Sequence, residues 1–143
     1  MGTVSSVSTH WLPDIIKKFQ LKYPKVEFVI HQGDYTSIQD WIRNGTVDFG
    51  FINPYAVKDI QTEKIKKGEM LAVLPENHYL SEKSVLPLEE LTTEPYILLE
   101  EGSYSEPLEA FHHAGLQPNV KFTIHDDYSI MAMVEAGLGI SIL

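Results

Sequence analysis

The sequence predicts an α/β fold, because extended apolar runs and helical patterns alternate along it in two successive series. In the first series, a helical apolar stripe that reaches Tyr23 is followed by the β-rich run Val26–His31 and by a further helix. Strand–helix–strand connections of this length favour parallel pairing with right-handed crossovers. A charged stretch then interrupts the pattern before the second series begins. We therefore expect two α/β lobes, residues 1–55 and 61–143, joined by a crossover at 56–60.

The composition is that of one globular domain. The chain has 143 residues, of which 43% are hydrophobic, enough for a buried core. Its net charge of -9 argues against binding of a phosphate backbone by this chain alone. The absence of cysteine excludes disulfides and thiolate metal sites, and it fits a reducing compartment such as the cytoplasm. No membrane association is expected, because there is no signal peptide and no apolar run near the roughly 18 residues that span a bilayer.

The first helix is expected to start in a polar turn and to end before Pro24. Ser6, Ser8 and Thr9 can accept hydrogen bonds from the free N–H groups of the first turn. Pro13 is tolerated near that start. The apolar stripe has three- and four-residue spacing and consists of Leu12, Ile15, Ile16, Phe19 and Tyr23.

The next elements complete the first lobe. Val26–His31 is expected to be a strand covered on both faces. A second helix, capped by Thr36 or Ser37, should end at Gly45. The next strand is expected to contain Val47, Phe49 and Phe51.

The second lobe is expected to begin with two strands, at about 61–66 and 70–75, and a single helical turn at Leu88–Leu91. The rest alternates strand and helix. The predicted elements are a strand at Tyr96–Leu99, a helix at 106–114 closed by Gly115, a strand at Val120–His125, a helix capped within 126–129 and closed by Gly137, and a strand from Leu138 to Leu143.

Both ends of the sequence suggest a fragment with an incomplete first lobe. Thr3-Val4 is too short for the strand that should precede the first helix, and the chain stops inside an apolar strand. Such a lobe would expose sheet edges, so an oligomer or strand exchange is expected.

Several short motifs, in a fixed order over nearly the whole chain, resemble the effector-binding domain of LysR-type transcriptional regulators. In the first lobe they are Ser6 with Leu12-Pro13, Phe19 with Tyr23-Pro24-Lys25-Val26, and Gly45 to Phe49. In the second lobe they are Val73-Leu74-Pro75, His78-Tyr79-Leu80, Pro87 to Leu91, and Val134 to Ile140.

The resemblance implies a two-lobed module similar to type 2 periplasmic solute-binding proteins, with a small effector held in the cleft between the lobes. It also implies a homo-oligomeric regulator that contacts DNA only through an N-terminal winged helix-turn-helix, a segment absent from this sequence. No cofactor is implied. A free-standing solute-binding protein of the same architecture is the alternative, and a small-molecule enzyme is a third class.

The residues of the expected effector site follow strand ends or open helices, where ligands dock on parallel sheets. Carried over from the family, they are Ser6, Val7, Gly33, Asp34, Asn53 and Pro54 in lobe one, and Glu101, Gly102, Ser103, Asp126, Asp127, Tyr128 and Ser129 in lobe two. Ordinary helix capping, worth about 1 kcal/mol for each residue, is the competing explanation for the Ser and Asp side chains.

The charge around this expected site suggests the chemistry of the ligand. Helix N-termini favour anions, but the acidic residues near them have no basic residue beside them in the sequence. These are Asp34, Glu100, Glu101, Asp126 and Asp127. An effector with an amino group as well as any carboxylate, such as an amino acid, is therefore favoured over a simple organic acid. Solvated or helix-capping acids explain the pattern equally well.

The sequence contains no convincing catalytic motif. Ser103 lacks the Gly-x-Ser-x-Gly elbow, and the adjacent His112 and His113 face different directions on a helix. His125 with Asp126 and Asp127 can in principle ligate a metal, but capping of the following helix is the simpler explanation. We therefore expect neither an enzyme nor a metal site.

Overall fold

A computed structural model describes residues 1–143, which form two compact units. Unit one comprises Met1–Lys64 and Glu101–Tyr104, and unit two comprises Ile65–Glu100 and Ser105–Leu143. The division after Lys64 lies a few residues beyond the predicted crossover. The short segment Glu101–Tyr104 belongs to unit one, although its neighbours in sequence belong to unit two.

The elements of both units alternate between strand and helix. Unit one contains β1 (Gly2–Thr3), α1 (Ser5–His10), α2 (Leu12–Lys22), β2 (His31–Gln32) and α3 (Tyr35–Arg43). Unit two contains β3 (Ala72–Val73), a 3-10 turn (Tyr79–Glu82), α4 (Leu88–Leu91), β4 (Pro95–Leu99), α5 (Glu106–His113), β5 (Asn119–Ile124), α6 (Asp127–Glu135) and β6 (Ser141–Ile142).

Unit one is built on a small parallel sheet. β1 pairs in parallel with β2, with Gly2 opposite His31, and Gly50 forms a parallel bridge with Gly2 on the other side. α3 covers this sheet through Ile38, which is fully buried. A Cβ atom at Gly50 would lie 2.5 Å from Ile38 Cγ2, so the close approach depends on glycine.

The predicted first helix is wrong in its continuity and its capping. It is two helices, α1 and α2, that meet at Trp11, because Pro13 has no N–H to continue the hydrogen-bond ladder from α1. Val4 occupies the N-cap of α1 without a side-chain hydrogen bond. The Ser8 hydroxyl instead lies 2.9 Å from the Ser5 carbonyl oxygen.

Two strands predicted in unit one are largely absent. Only His31 of the run Val26–His31 is in a strand, and Val29 is 67% exposed, so the run is not covered on both faces. The strand predicted at 47–51 is reduced to the Gly50 bridge. A strand needs a partner for its backbone groups. Because β1 consists only of Gly2 and Thr3, it can pair with only a few residues of the neighbouring segments.

Unit two has a longer sheet, in which β4 pairs in parallel with β5. Tyr96 bridges Ile140 in parallel on the other side of β4, and β6 pairs antiparallel with β3. The core has two clusters. One contains Leu80, Leu91, Tyr96, Phe111, Ile140 and Ile142, and the other contains Ile97, Ile130 and Val134.

Most elements predicted for the second lobe are confirmed. α4, β4, α5, β5 and α6 lie within one or two residues of the predicted bounds, and α5 and α6 end just before Gly115 and Gly137. The strand predicted at 61–66 is wrong. Every residue in 61–70 is exposed, and an extended segment without a neighbouring strand leaves its backbone groups to water. The strand predicted at 70–75 shortens to Ala72–Val73.

Candidate functional site

The predicted site residues of unit one gather where its parallel segments end. Ser6 and Val7 lie in α1, directly after β1. Gly33 follows β2, and its N–H donates to the Thr3 carbonyl over 3.0 Å. Asn53 and Pro54 follow the Gly50 bridge. Because parallel strands have their carboxyl ends at one edge, these residues lie on the same side of the sheet.

α1 is tied to the end of β2 by a side-chain contact. Ser8 Oγ lies 3.0 Å from Gln32 Oε1, so the start of α1 has a defined position beside the residues that follow β2. Ser6 is exposed at this edge, and Val7 is half-buried. The Ser6 side chain is therefore accessible from solvent at this edge.

Asp34 is the N-cap of α3, in place of the predicted Thr36 or Ser37. Its Oδ1 accepts a hydrogen bond from the Ser37 N–H over 2.6 Å. This is the capping role that the sequence left open as the alternative to ligand binding. The carboxylate satisfies one of the helix's unpaired N–H groups and places a negative charge at the positive end of the helix dipole.

The segment Glu101–Tyr104 also contacts the first turn of α3. The Tyr35 N–H donates to the Glu101 carbonyl over 3.2 Å, and the Ser103 N–H donates to Thr36 Oγ1 over 3.1 Å. Gly102 has a φ of 88°, and a Cβ atom there would overlap Thr36 Oγ1. Sequence reasoning did not predict this contact of Thr36, because nothing in a single sequence marks a contact between such distant positions.

Asp126 caps α6 in unit two. One of its carboxylate oxygens accepts hydrogen bonds from both the Ser129 N–H and the Ser129 hydroxyl, each over 2.8 Å. Asp127 and Tyr128 lie in the first turn of the same helix.

Asn53, in unit one, is in a similar local arrangement, because its Oδ1 accepts from the Tyr55 N–H over 3.0 Å.

One predicted feature of the charge distribution needs correction. Glu100 does have a histidine beside it, because His125 Nε2 lies 3.8 Å from its Oε2, and His125 Nδ1 lies 3.3 Å from the Glu100 carbonyl oxygen. The two residues come together because β4 and β5 pair in parallel.

No group of three or more His, Cys, Asp or Glu residues is placed to hold a metal ion.

Two surface cavities of unit two contain none of the predicted site residues. The larger, of about 630 Å³, lies against Leu80, Leu91, Pro107 and Ile142. The smaller, of about 380 Å³, lies beside Phe111 and the loop that follows α5. Their linings are mostly apolar, unlike the polar helix starts described above.

The profile of the LysR substrate-binding domain matches residues 1–143. The chain belongs to the LysR substrate-binding domain family. It is therefore an effector-binding domain of the LysR type, and the predicted α/β fold of the type 2 periplasmic-binding-protein kind is confirmed.

No helix of the chain combines the length and apolarity needed to cross a bilayer.

Relatives with this domain are named as transcriptional regulators. The chain is 32% identical over its full length to the HTH-type regulator YvbU of Bacillus subtilis, and it covers 49% of that protein. It is 31% identical to the HTH-type regulator CysB of Haemophilus influenzae, of which it covers 46%. The chain thus spans about half the length of these relatives.

Solved structures show the same fold. The LysR family regulator HinK of Pseudomonas aeruginosa superposes with a TM-score of 0.86 at 29% identity, with 99% of this chain and 50% of HinK covered. The effector-binding domain of QuiR, solved in complex with shikimate, superposes with a TM-score of 0.85 at 23% identity, with 99% of this chain and 70% of that chain covered. The second likeness bears on the fold alone.

Proposed function

We propose that this LysR-type domain senses a small-molecule effector for a transcription regulator that binds DNA through a part of the protein outside these residues. The observation that carries the proposal is the family match over all 143 residues, together with relatives that are named as HTH-type regulators. Such a regulator would work in the cytoplasm, where its DNA lies. Its mechanism would be a shift of population: the effector binds one conformation better and thereby changes the arrangement of the DNA-binding parts.

We place the main contacts of the effector in unit one, at the edge where its parallel segments end. Ser6 and Val7 in α1, Gly33 and Asp34 before α3, and Asn53 and Pro54 after Gly50 all belong to this edge. Glu101, Gly102 and Ser103 lie against the start of α3. Asp126, Asp127, Tyr128 and Ser129 at the start of α6 are included on the strength of the family resemblance.

We propose an effector that carries an amino group as well as a carboxylate. Helix starts supply N–H donors for a carboxylate, but Asp34 and Glu101 add negative charge to the same region of unit one. An effector with only negative charge would be repelled there. An ammonium group would pair with Asp34, so an amino acid fits the charge pattern better than a dicarboxylate does.

The test is a thermal-shift screen with chemically matched pairs. L-glutamate is compared with glutarate, which has the same two carboxylates and no nitrogen, and shikimate is included as a further nitrogen-free acid. A ligand at one hundred times its Kd should stabilise the protein by about 2.7 kcal/mol. We expect a shift with one or more amino acids that Ser6→Ala reduces. Equal shifts with the nitrogen-free acids would contradict the proposed ligand class.

We also propose that the domain forms homo-oligomers through an apolar surface of unit one, defined here as the α2 face. It consists of Ile15 and Phe19 on α2, Tyr23 at the C-cap of that helix, and Val26 and Val29 in the segment that follows. α2 and the 26–30 segment are in contact, since the Phe19 ring packs edge-on against Phe28 at 5.6 Å. Clusters of exposed apolar side chains favour association.

A further inference from the structure

We propose that residues 101–104 act as a latch that occupies the first turn of α3 and must be released before the effector can use the N–H groups there. This inference rests on the proposed function, because it describes how the same site is regulated. The latch is defined as the segment Glu101–Tyr104, which lies in unit one although residues of unit two flank it on both sides in the sequence.

The latch already uses the donors that an anionic ligand would need. The first N–H groups of a helix have no partner within the helix, which makes them an anion-binding site. In α3, the Tyr35 N–H donates to the Glu101 carbonyl over 3.2 Å, and the Ser37 N–H donates to Asp34 Oδ1 over 2.6 Å. A carboxylate can therefore reach the Tyr35 N–H only if the Glu101 carbonyl leaves it.

The contact between the latch and Thr36 leaves no room for a larger residue at position 102. The Ser103 N–H donates to Thr36 Oγ1 over 3.1 Å, across 67 positions in the sequence. Gly102 has a φ of 88°, a conformation that other residues rarely adopt, and any Cβ atom there would overlap Thr36 Oγ1. Gly102 therefore permits the close approach in two independent ways.

The consequence is competition between the latch and the effector. A protein whose binding-competent state is only partly populated binds its ligand more weakly, in proportion to that fraction. Loosening the latch should therefore tighten binding, and effector binding should free the latch. Because the chain on both sides of the latch continues into unit two, release would be transmitted directly along the covalent chain.

The experiment compares Ser103→Pro with Ser103→Ala. Both variants lose the serine side chain, but only Ser103→Pro also loses the N–H that donates to Thr36. Amide hydrogen exchange is measured at Tyr35 without ligand, and the affinity for L-glutamate and the other screened amino acids is measured by calorimetry. We expect Ser103→Pro to exchange the Tyr35 N–H faster and to bind about threefold to tenfold more tightly than Ser103→Ala, the change expected for one hydrogen bond.

Gly102→Ala provides a second route to the same state, because its Cβ atom should expel the latch from Thr36. Equal Tyr35 exchange in Ser103→Pro, Ser103→Ala and Gly102→Ala would overturn the latch. Faster exchange in Ser103→Pro with unchanged affinity would overturn its regulatory role and leave the sensing function standing. An absence of binding in every variant would contradict the proposed function itself, and the regulatory role of the latch with it.

Discussion

Tyr96 is a fully buried residue whose hydroxyl group has no hydrogen-bond partner. It packs at the centre of unit two, with its ring edge-on to Phe111 at 5.7 Å. Burial raises the pKa of Tyr96 to about 12, and the nearby Ile142 backbone and Ser141 hydroxyl offset only part of that rise. Neither group has the geometry of a hydrogen bond to Tyr96, and the Ser141 hydroxyl donates instead to the Ile97 carbonyl over 2.7 Å.

This raised pKa predicts that the protein loses stability in alkali. The folded protein keeps the Tyr96 proton at a pH where the unfolded chain, with an ordinary pKa near 10, releases it. Stability is therefore retained below about pH 10 and falls as the pH rises towards 12, by roughly 1 kcal/mol at pH 11. Urea denaturation between pH 8 and pH 11 measures this fall. Tyr96→Phe should flatten it.

The control for this prediction is Tyr79→Phe. The hydroxyl of Tyr79 donates to Glu94 over 2.6 Å, and this hydrogen bond is the main cause of the raised pKa of Tyr79, which is otherwise exposed. Removing that hydroxyl should leave the contribution of Tyr96 in place. At pH 7, Tyr96→Phe should be at least as stable as the wild type, because an unpaired buried hydroxyl costs about 1–3 kcal/mol. Identical alkaline slopes in wild type and Tyr96→Phe would refute the assignment.

At the scale of the elements, the starts of helices have two possible roles, capping and ligand binding. Asp126 accepts two hydrogen bonds from Ser129 at the start of α6, and Asp34 accepts one from Ser37 at the start of α3. These contacts are local, so they form whether or not a ligand is present. A change that removes the charge but keeps the acceptor can separate the two roles.

Asp126→Ala should lower the free energy of unfolding by about 1 kcal/mol, because it removes the cap of α6. Asp126→Asn should retain most of that stability, since its amide oxygen can still accept from the Ser129 N–H. Chemical denaturation measures both variants. If Asp126 also pairs with the amino group of the effector, Asp126→Asn should bind amino acids more weakly while remaining stable. Unchanged affinity in this variant would leave capping as the only role of Asp126.

At the scale of the whole molecule, the α2 face is an exposed apolar surface outside the buried core. Ile15 is 53% exposed and Phe19 is 40% exposed, although both belong to the amphipathic stripe predicted from the sequence. Within the stripe only Leu12 is buried, and Ile16 is half-buried. This exposure supports the proposal that a second copy of the domain covers the α2 face.

Phe19→Glu should shift the oligomer to monomer, because it places a charge at the centre of the α2 face. The expected change is a rise of at least about tenfold in the dissociation constant, equivalent to about 1.4 kcal/mol, as measured by sedimentation equilibrium. Leu21→Glu is the matched control. Leu21 is on the same helix and 83% exposed, but it points away from the stripe. A wild-type protein that stays monomeric at high concentration would contradict the proposed oligomer.

The sequence by itself determined the α/β alternation, the helices and strands of unit two from α4 to α6, and the family. These features depend on local information, namely the three- and four-residue periodicity of helices, the caps, and the glycines that follow α5 and α6. The acidic residues at helix starts were also visible, although not which of them would cap. Only the structure shows that Asp34 caps α3, because only there is its carboxylate seen to accept a hydrogen bond from the Ser37 N–H.

The tertiary structure alone decided which extended runs became strands and what lies against α3. Val26–His31 has the composition of a strand, and a strand was also predicted at 61–66, but a strand forms only where another strand supplies hydrogen-bond partners. The contact of Ser103 with Thr36 likewise joins residues 67 positions apart. Both outcomes depend on non-local pairing, and a single sequence carries no direct record of which distant backbone groups will meet.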